Sequence, residues 1–399
     1  VQRRPGSTER RLVLVVGAIV FADTMFYAAI APLLPTLAHQ LHLSKLSAGV
    51  MTASYPLGTL LGSIPGGVLA ARAGPKTTVC AGLALLGGST LAFGFLHNAL
   101  LLDLARLVEG IGGACSWAGG LAWIVAEAPA DRRGALIGAA LGAAIAGSLF
   151  GPLIGTIATA AGRGATFSGV VVLSIGLMLA ARSLPSSHVS SRQGVRHLLE
   201  SLRSRGVVAG MWLVGLPAIA SGMINVLGPL RLHRFGASAI GIGATFLIAA
   251  GIEAALSPLI GRVSDRRGRL LPLRFGLAGA SGLLLCFTLP QTAVLLSALI
   301  VALACALGGF WAPAMAMLAD AAELWGLDQG LAAALMNLAW AGGQILGSGI
   351  GGAVAKATGD AVPMTITAGL CAATLLVLTR LALPRDSKRH QRREAKVGT

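Results

Sequence analysis

Four ionisable side chains lie inside stretches of sequence otherwise too apolar to hold a charge: Asp23, Arg106, Glu109 and Glu253. Near a bilayer centre such a group costs roughly 2.5–3.5 kcal/mol on insertion scales, so it is expected to face a bundle interior and mark the path of an ion or solute. Asp23 follows Leu12 by 11 residues, about 16 Å of helix, which places it close to a midplane. It is the leading carboxylate for a proton or a solute. Arg106 and Glu109, three apart, share one helical face and can pair; a purely structural ion pair is the competing reading. Glu253 precedes Gly261 by 8 residues, about 12 Å of helix, and is open to being a second proton site or a structural partner. A carboxylate whose surroundings alternate between apolar burial and an arginine neighbour can load and release a proton. All seven histidines fall in loops, termini or span ends, so carboxylates are expected to carry any proton coupling.

Aromatic and amide groups add recognition chemistry. Tyr27, Tyr55, Trp117, Trp123, Trp311 and Trp340 lie in apolar stretches, where they can stack on aromatic or cationic ligands or act as packing and interfacial anchors. Asn337 and Gln344, seven apart, offer hydrogen bonds from one helix face to a solute or to a neighbouring helix. No nucleophile has a plausible histidine partner, and there is no P-loop or metal cluster, so neither an enzyme nor a nucleotide-driven pump is expected. Cys80, Cys115, Cys286, Cys305 and Cys371 all sit in apolar runs without a C-x-x-C pair, which reads as packing rather than zinc or disulfide chemistry.

The elements that must position these residues are membrane helices. The chain is 55% hydrophobic and only 12% charged, with a mean hydropathy of +0.78, against roughly 25% charged residues in soluble domains. A net charge of +16 does not mark a nucleic-acid binder, because the Lys and Arg sit between apolar runs rather than on a folded basic face. The Arg-rich start is followed by about 27 apolar residues, too long for the core of a signal peptide, and is read as a retained first helix. Breaking the sequence at charges and turn residues gives twelve candidate spans, against the roughly 20 apolar residues of helix that a bilayer core of about 30 Å requires. They divide into a tail at 1–11, a six-helix bundle at 12–181, a polar linker at 182–206, a second bundle at 207–383 and a basic tail at 384–399. Roughly 25 Lys and Arg fall on the side of both termini against about 5 on the other, which assigns both termini to the cytoplasm of a cell's inner membrane. One loop on that side departs from the pattern: Asp320, Glu323 and Asp328 follow the tenth span, and the basic loop after span eight is their expected partner.

The two bundles are copies. A shift of 194 aligns Pro35 with Pro229, Ser44 with Ser238, Gly49 with Gly243, Ser63 with Ser257, Gly67 with Gly261, Arg72 with Arg266 and Gly74 with Gly268. A shift of 196 brings Gly147-x3-Gly151-Pro152-x2-Gly155 onto Gly343-x3-Gly347-Ser348-x2-Gly351. Parallel repeats of this kind are a transporter architecture, with the solute site near the midplane between the halves. The shift of 194 sets Pro217 opposite Asp23, so this acid is not a repeated scaffold feature.

Over almost its whole length the chain resembles the major facilitator superfamily, and within it the twelve-helix drug:proton antiporters. Gly261-Arg262-Val263-Ser264-Asp265-Arg266-Arg267-Gly268-Arg269 matches the family's G-x-x-x-D-R-x-G-R loop, which implies a gate that clamps cytoplasmic helix ends in the outward-facing state. The first-half copy keeps Gly67, Arg72 and Gly74 but has Ala71 where the family has Asp. Glu127 and Asp131 are the expected partners of Arg72, and Asp320 or Glu323 those of Arg266 or Arg267; the same loops can also simply hold helix ends together. In span five Gly138, Gly147, Gly151, Pro152 and Gly155 resemble the antiporter signature G-x8-G-x3-G-P-x2-G-G, departing at Thr156; close packing of a glycine-rich, proline-bent helix is the alternative. Arg106 begins a stretch similar to R-x-x-x-G-x-G-x, whose arginine is associated with proton transfer. Asp23 through Pro35 looks like span one of vesicular amine transporters, where the acid serves cation recognition.

The resemblance implies an all-α membrane protein of two pseudo-symmetric six-helix bundles. It further implies proton-coupled efflux of small lipophilic or cationic organic compounds by alternating access, with a proton gradient as driving force and no cofactor. The expected partners are a small-molecule substrate, protons and the lipid bilayer; no nucleic acid is expected, and a monomer is. A proton-coupled sugar or carboxylate carrier with Arg106 on the solute is the second transport reading, and a nontransporting receptor or scaffold on the same fold is the third.

Overall fold

A computed structural model describes residues 7–127, 133–185, 195–327 and 329–382. Among them the regular structure is helical. The first half comprises α1 (Ser7–Ala28), α2 (Ile30–Gln40), α3 (Lys45–Ala73), α4 (Pro75–Phe95), α5 (Ala99–Glu127), α6 (Arg133–Ala161) and α7 (Arg163–Arg182). A short helix α8 (Val195–Ser201) precedes the second half: α9 (Arg205–Arg234), α10 (Ala239–Arg267), α11 (Leu270–Leu285), α12 (Ala293–Leu324), α13 (Gln329–Ile345), α14 (Gly351–Thr358) and α15 (Ala361–Ala382). The first span is α1 with α2, broken at Ala29, where Pro32 supplies no N–H and its ring crowds the carbonyl one turn earlier. A π turn at Leu346–Ile350 joins α13 to α14 into the eleventh span. Among the described residues nine helical runs are by length and hydropathy alone able to cross a membrane. The remaining three spans are α3, rich in Gly, Ser and Pro, the charge-bearing α5, and the interrupted α13–α14.

The duplication is visible in the backbone. Ser44 caps α3 by accepting from the Ser47 N–H, and Ser238 caps α10 from the Gly241 N–H in the same way. Gly74 and Gly268, which end α3 and α10, both have positive φ, at 88° and 86°, a region open to glycine because it carries no Cβ. Packing repeats as well: α1 lies on α6 as α9 lies on α13, α3 on α5 as α10 on α12, and α4 on α7 as α11 on α15.

The halves meet through α3 against α13 and α14, α6 against α10, and α2 against α9 and α10. The closest approaches lie toward the end opposite the start of α1 and the end of α15. There a Cβ on Gly49 would strike the Ser348 carbonyl, and one on Gly243 would strike the Thr156 hydroxyl. Lys45 pairs with Asp360 across the halves at the same end, and Arg231 stands 3.6 Å from the second Asp360 oxygen. At the terminus-side end Arg72, Arg266 and Arg267 are exposed, and there is open space around Gly67 and Gly261. The bundle is therefore sealed at its far end, while Gly67, Arg72, Arg266 and Arg267 are exposed at the end that holds the termini.

Candidate functional site

Placement of Asp23 begins with span five. A Cβ on Gly147, Gly151 or Gly155 would run into the α1 carbonyls of Phe21 and Met25 and that of Ala29 at the break, so these glycines let α1 and α6 touch backbone to backbone. Thr24 adds a cross-helix bond to the Ala144 carbonyl at 2.9 Å. Gly343 and Gly347 do the same against the Gly215 and Ile219 carbonyls of α9, and Gly351 packs on Met223. The spaced glycines of spans five and eleven thus perform one packing task twice. Gly138 has open space around it, while the Pro152 carbonyl and Thr156 face Gly243 of the other half.

Held in this way, Asp23 is fully buried. Its Oδ1 accepts from the Tyr55 hydroxyl at 2.8 Å and its Oδ2 from the Trp117 indole N–H at 3.0 Å. Gly113 makes the room, since a Cβ there would sit on both Asp23 and Tyr55. The Arg106 guanidinium lies over the Tyr55 ring, 5.2 Å from its centroid. Its Nη1 donates to both Glu109 oxygens, at 3.2 and 3.1 Å, and to the Phe26 carbonyl at 3.3 Å, while Nη2 donates to the Tyr27 carbonyl at 3.3 Å. Arg106 and Glu109 are both 2% exposed, so their pairing offsets the desolvation each would otherwise suffer. The site holds two carboxylates and one guanidinium, linked through Tyr55, and Arg106 also braces the break in span one.

Across the middle of the molecule Tyr27 packs on Tyr55 with the rings tilted at 42° and centroids 4.9 Å apart, and meets Trp340 of the second half edge-on at 5.3 Å. Gln344 is turned away from this contact: it is buried, and its Nε2 donates to Ser221 of α9 at 2.9 Å, an interhelical bond. Asn337 remains half-buried. Glu253 stands apart from the Asp23 cluster, on α10 against Gly308 of α12.

At the gate loops Asp320 pairs with Arg269, which also donates to the Ala316 carbonyl at 3.0 Å. The expected partners were Arg266 and Arg267; both are exposed in the last turn of α10, whereas Arg269, which caps the start of α11, reaches the end of α12. Glu323 is exposed and Glu127 half-buried. Asp131 and Asp328 and the Asp265 side chain, three further gate expectations, lie outside the described residues.

The ion triad of Lys45, Asp360 and Arg231 was not foreseen. Each is a charge at a span end, where local hydropathy reads only a boundary; the scarcity of charge on that side was the one available signal. Asp103 on α5, with one buried oxygen lacking a protein partner, was passed over for the same reason.

A family model described as the Major Facilitator Superfamily matches residues 16–322 and, overlapping it, 216–398. The chain is 27% identical over 287 residues to the uncharacterized MFS-type transporter YcaD of Escherichia coli O45:K1 (strain S88 / ExPEC), covering 67% of this chain and 70% of that protein. It is 29% identical over 114 residues, 29% of each protein, to the quinolone resistance protein NorA of Staphylococcus aureus strain MRSA252. Among solved structures it superposes on a bacterial homologue of the human lysosomal transporter Spinster, inward-facing and unoccupied, with a TM-score of 0.77 at 14% identity over 94% of this chain and 98% of that one. The xylose transporter XylE of E. coli, partially occluded and inward-open, gives 0.72 at 17% identity over 95% and 100%.

Proposed function

The chain belongs to the major facilitator superfamily, and from that premise we propose that it works by alternating access as a proton-coupled exporter of small lipophilic or cationic organic compounds. The observation that carries the proposal is the Asp23 cluster. A carboxylate is held at mid-span by two neutral donors, Tyr55 and Trp117, beside an arginine already engaged by Glu109. With one guanidinium for two acids, full ionisation leaves a net negative charge in a low-dielectric site, and one bound proton removes it. Proton exchange at this cluster would alternate with solute occupancy of the cleft between the halves. Similarity to a quinolone resistance protein supports export of organic compounds. The excess of Lys and Arg at the terminus-side end supports an inner-membrane setting with cytoplasmic termini, so the sealed end of the present conformer faces outward. In the opposite state the loop from Gly261 to Arg269 would clamp the cytoplasmic ends, with the Gly67, Arg72 and Gly74 copy contributing less because Ala71 offers no carboxylate.

A sugar or carboxylate carrier with Arg106 on the solute is disfavoured, because Glu109 and two backbone carbonyls already occupy its Nη1 and Nη2. The test is flux in proteoliposomes under an imposed pH gradient, with a panel of organic cations, neutral drugs and sugars, comparing wild type with Asp23→Asn. Proton-driven export of organic cations that is lost in the variant is expected. Unchanged proton-driven flux in Asp23→Asn, or proton-coupled uptake by wild type, would remove the proposal.

A further inference from the structure

Asp23 and Glu253 are both acids near mid-span, but the fold treats them in opposite ways. Asp23 has no exposed surface, and each of its oxygens is held by a donor from another helix. A solute in the cleft between the halves cannot touch it without displacing Tyr55 or Trp117. Glu253 is half-buried, and among the described residues neither a hydrogen-bond donor nor a cation partners its carboxylate.

Helix geometry gives the direction it faces. The exposed residues of α10 in this region, Ala244, Ile248, Ala255 and Leu259, are rotated from Glu253 by about 120–180° at 3.6 residues per turn. They form the lipid face, so Glu253 lies on the side away from lipid. On one flank Gly243 meets Pro152 and Thr156 of α6. On the other, Thr245 bonds Ser297 of α12 at 2.8 Å. Between these flanks Glu253 lies against α12 at Gly308, beside the seam where α10 meets α6 of the other half. Glu253 lies beyond the sealed far end, one turn past the buried Ala249 and toward the terminus-side end. Gly308 leaves the carboxylate room: a Cβ there would stand 2.9 Å from Glu253 Cγ.

We infer that Glu253 is the carboxylate that receives the cationic group of the transported compound, so that solute and proton are taken by different acids in different halves. The inference rests on the export reading above and assigns one subsite within it. An unpaired carboxylate beside the seam between the halves selects for a monovalent organic cation, whose apolar body would lie against Trp340 and Tyr27 near the midplane.

The test is equilibrium binding of tetraphenylphosphonium, and of uncharged triphenylphosphine oxide, to the full chain in lipid nanodiscs. Glu253→Gln is expected to weaken the cation at least about tenfold, the loss expected on removing one member of a desolvated charge pair, while the neutral probe binds as to wild type. Gly308→Ala keeps the charge but crowds Glu253 and is expected to weaken the cation selectively as well, so the test survives if one variant folds poorly. Equal cation affinity in wild type and Glu253→Gln would overturn the inference alone, as would a loss seen in Asp23→Asn but not in Glu253→Gln. A wild type that binds neither probe would overturn both the inference and the export reading.

Discussion

Under the alternating access proposed above, the far-end triad should set the balance between the two states. Asp360 has 7% of its side chain exposed and Lys45 18%; Lys45 belongs to the first half, Asp360 and Arg231 to the second. Exposed ion pairs contribute about 0–1 kcal/mol, while breaking a fully buried one costs about 3–5 kcal/mol. A pair at this depth lies between, at about 1–2 kcal/mol, a factor of roughly 5–30 in an equilibrium. The contact spans the halves and must part when the far end opens, so nearly all of that energy favours the conformer described above. Asp360→Asn should act more strongly than Lys45→Ala, because it strands two cations, whereas Lys45→Ala leaves Asp360 beside Arg231. The assay is pulsed electron–electron distance measurement between spin labels at Ala71 and Arg267, two exposed sites on opposite halves at the terminus-side end, after the native cysteines are replaced by serine. The odds of the long-distance population should fall about tenfold in Asp360→Asn and less in Lys45→Ala. Identical distance distributions in wild type and Asp360→Asn would refute the reasoning, as would a larger shift in Lys45→Ala.

Two further outcomes follow from the first-half site. Glu109→Gln leaves the Arg106 charge buried without its carboxylate and should destabilise the protein by about 3–5 kcal/mol, whereas the double change Arg106→Met with Glu109→Leu should recover most of that loss; thermal unfolding in detergent compares the three proteins, and a double variant no more stable than the single one would contradict the assignment. Gly151→Leu forces a side chain into Ala28 and the Met25 carbonyl and should cost about 1–3 kcal/mol or more by overpacking, while Gly138→Leu, with open space around it, should be tolerated; equal melting temperatures for the two variants would show that the span-five glycines are not packing α1.

Much of the fold was legible because it is written locally. Hydropathy over about 20 residues measures whether a segment can leave water, and the cap and turn residues that recur at a shift of 194 act on their own backbone. Ser44 and Ser238 close the same turn, and Gly74 and Gly268 adopt the same left-handed φ. Four intramembrane charges were equally plain, since their cost in lipid does not depend on the neighbours a sequence conceals. The i,i+3 spacing of Arg106 and Glu109 foretold their pairing for the same local reason.

Partners distant in sequence were not legible. Tyr55 lies 32 residues from Asp23 and Trp117 lies 94 away; Lys45 is 315 residues from Asp360. Asp320 found Arg269 rather than its neighbours Arg266 and Arg267 because the start of α11, not the end of α10, faces it. Gly147, Gly151 and Gly155 stand in the sequence as regularly spaced small residues, and only the fold shows that they seat the first span and are answered by Gly343, Gly347 and Gly351. By itself the sequence determined that this chain is a duplicated twelve-helix membrane protein with acids at mid-span. The tertiary structure alone decided that Asp23 is sealed between Tyr55 and Trp117 while Glu253 lies on α10 against Gly308 of α12, because rotation of a helix about its axis is set by packing against its neighbours and not by its own composition.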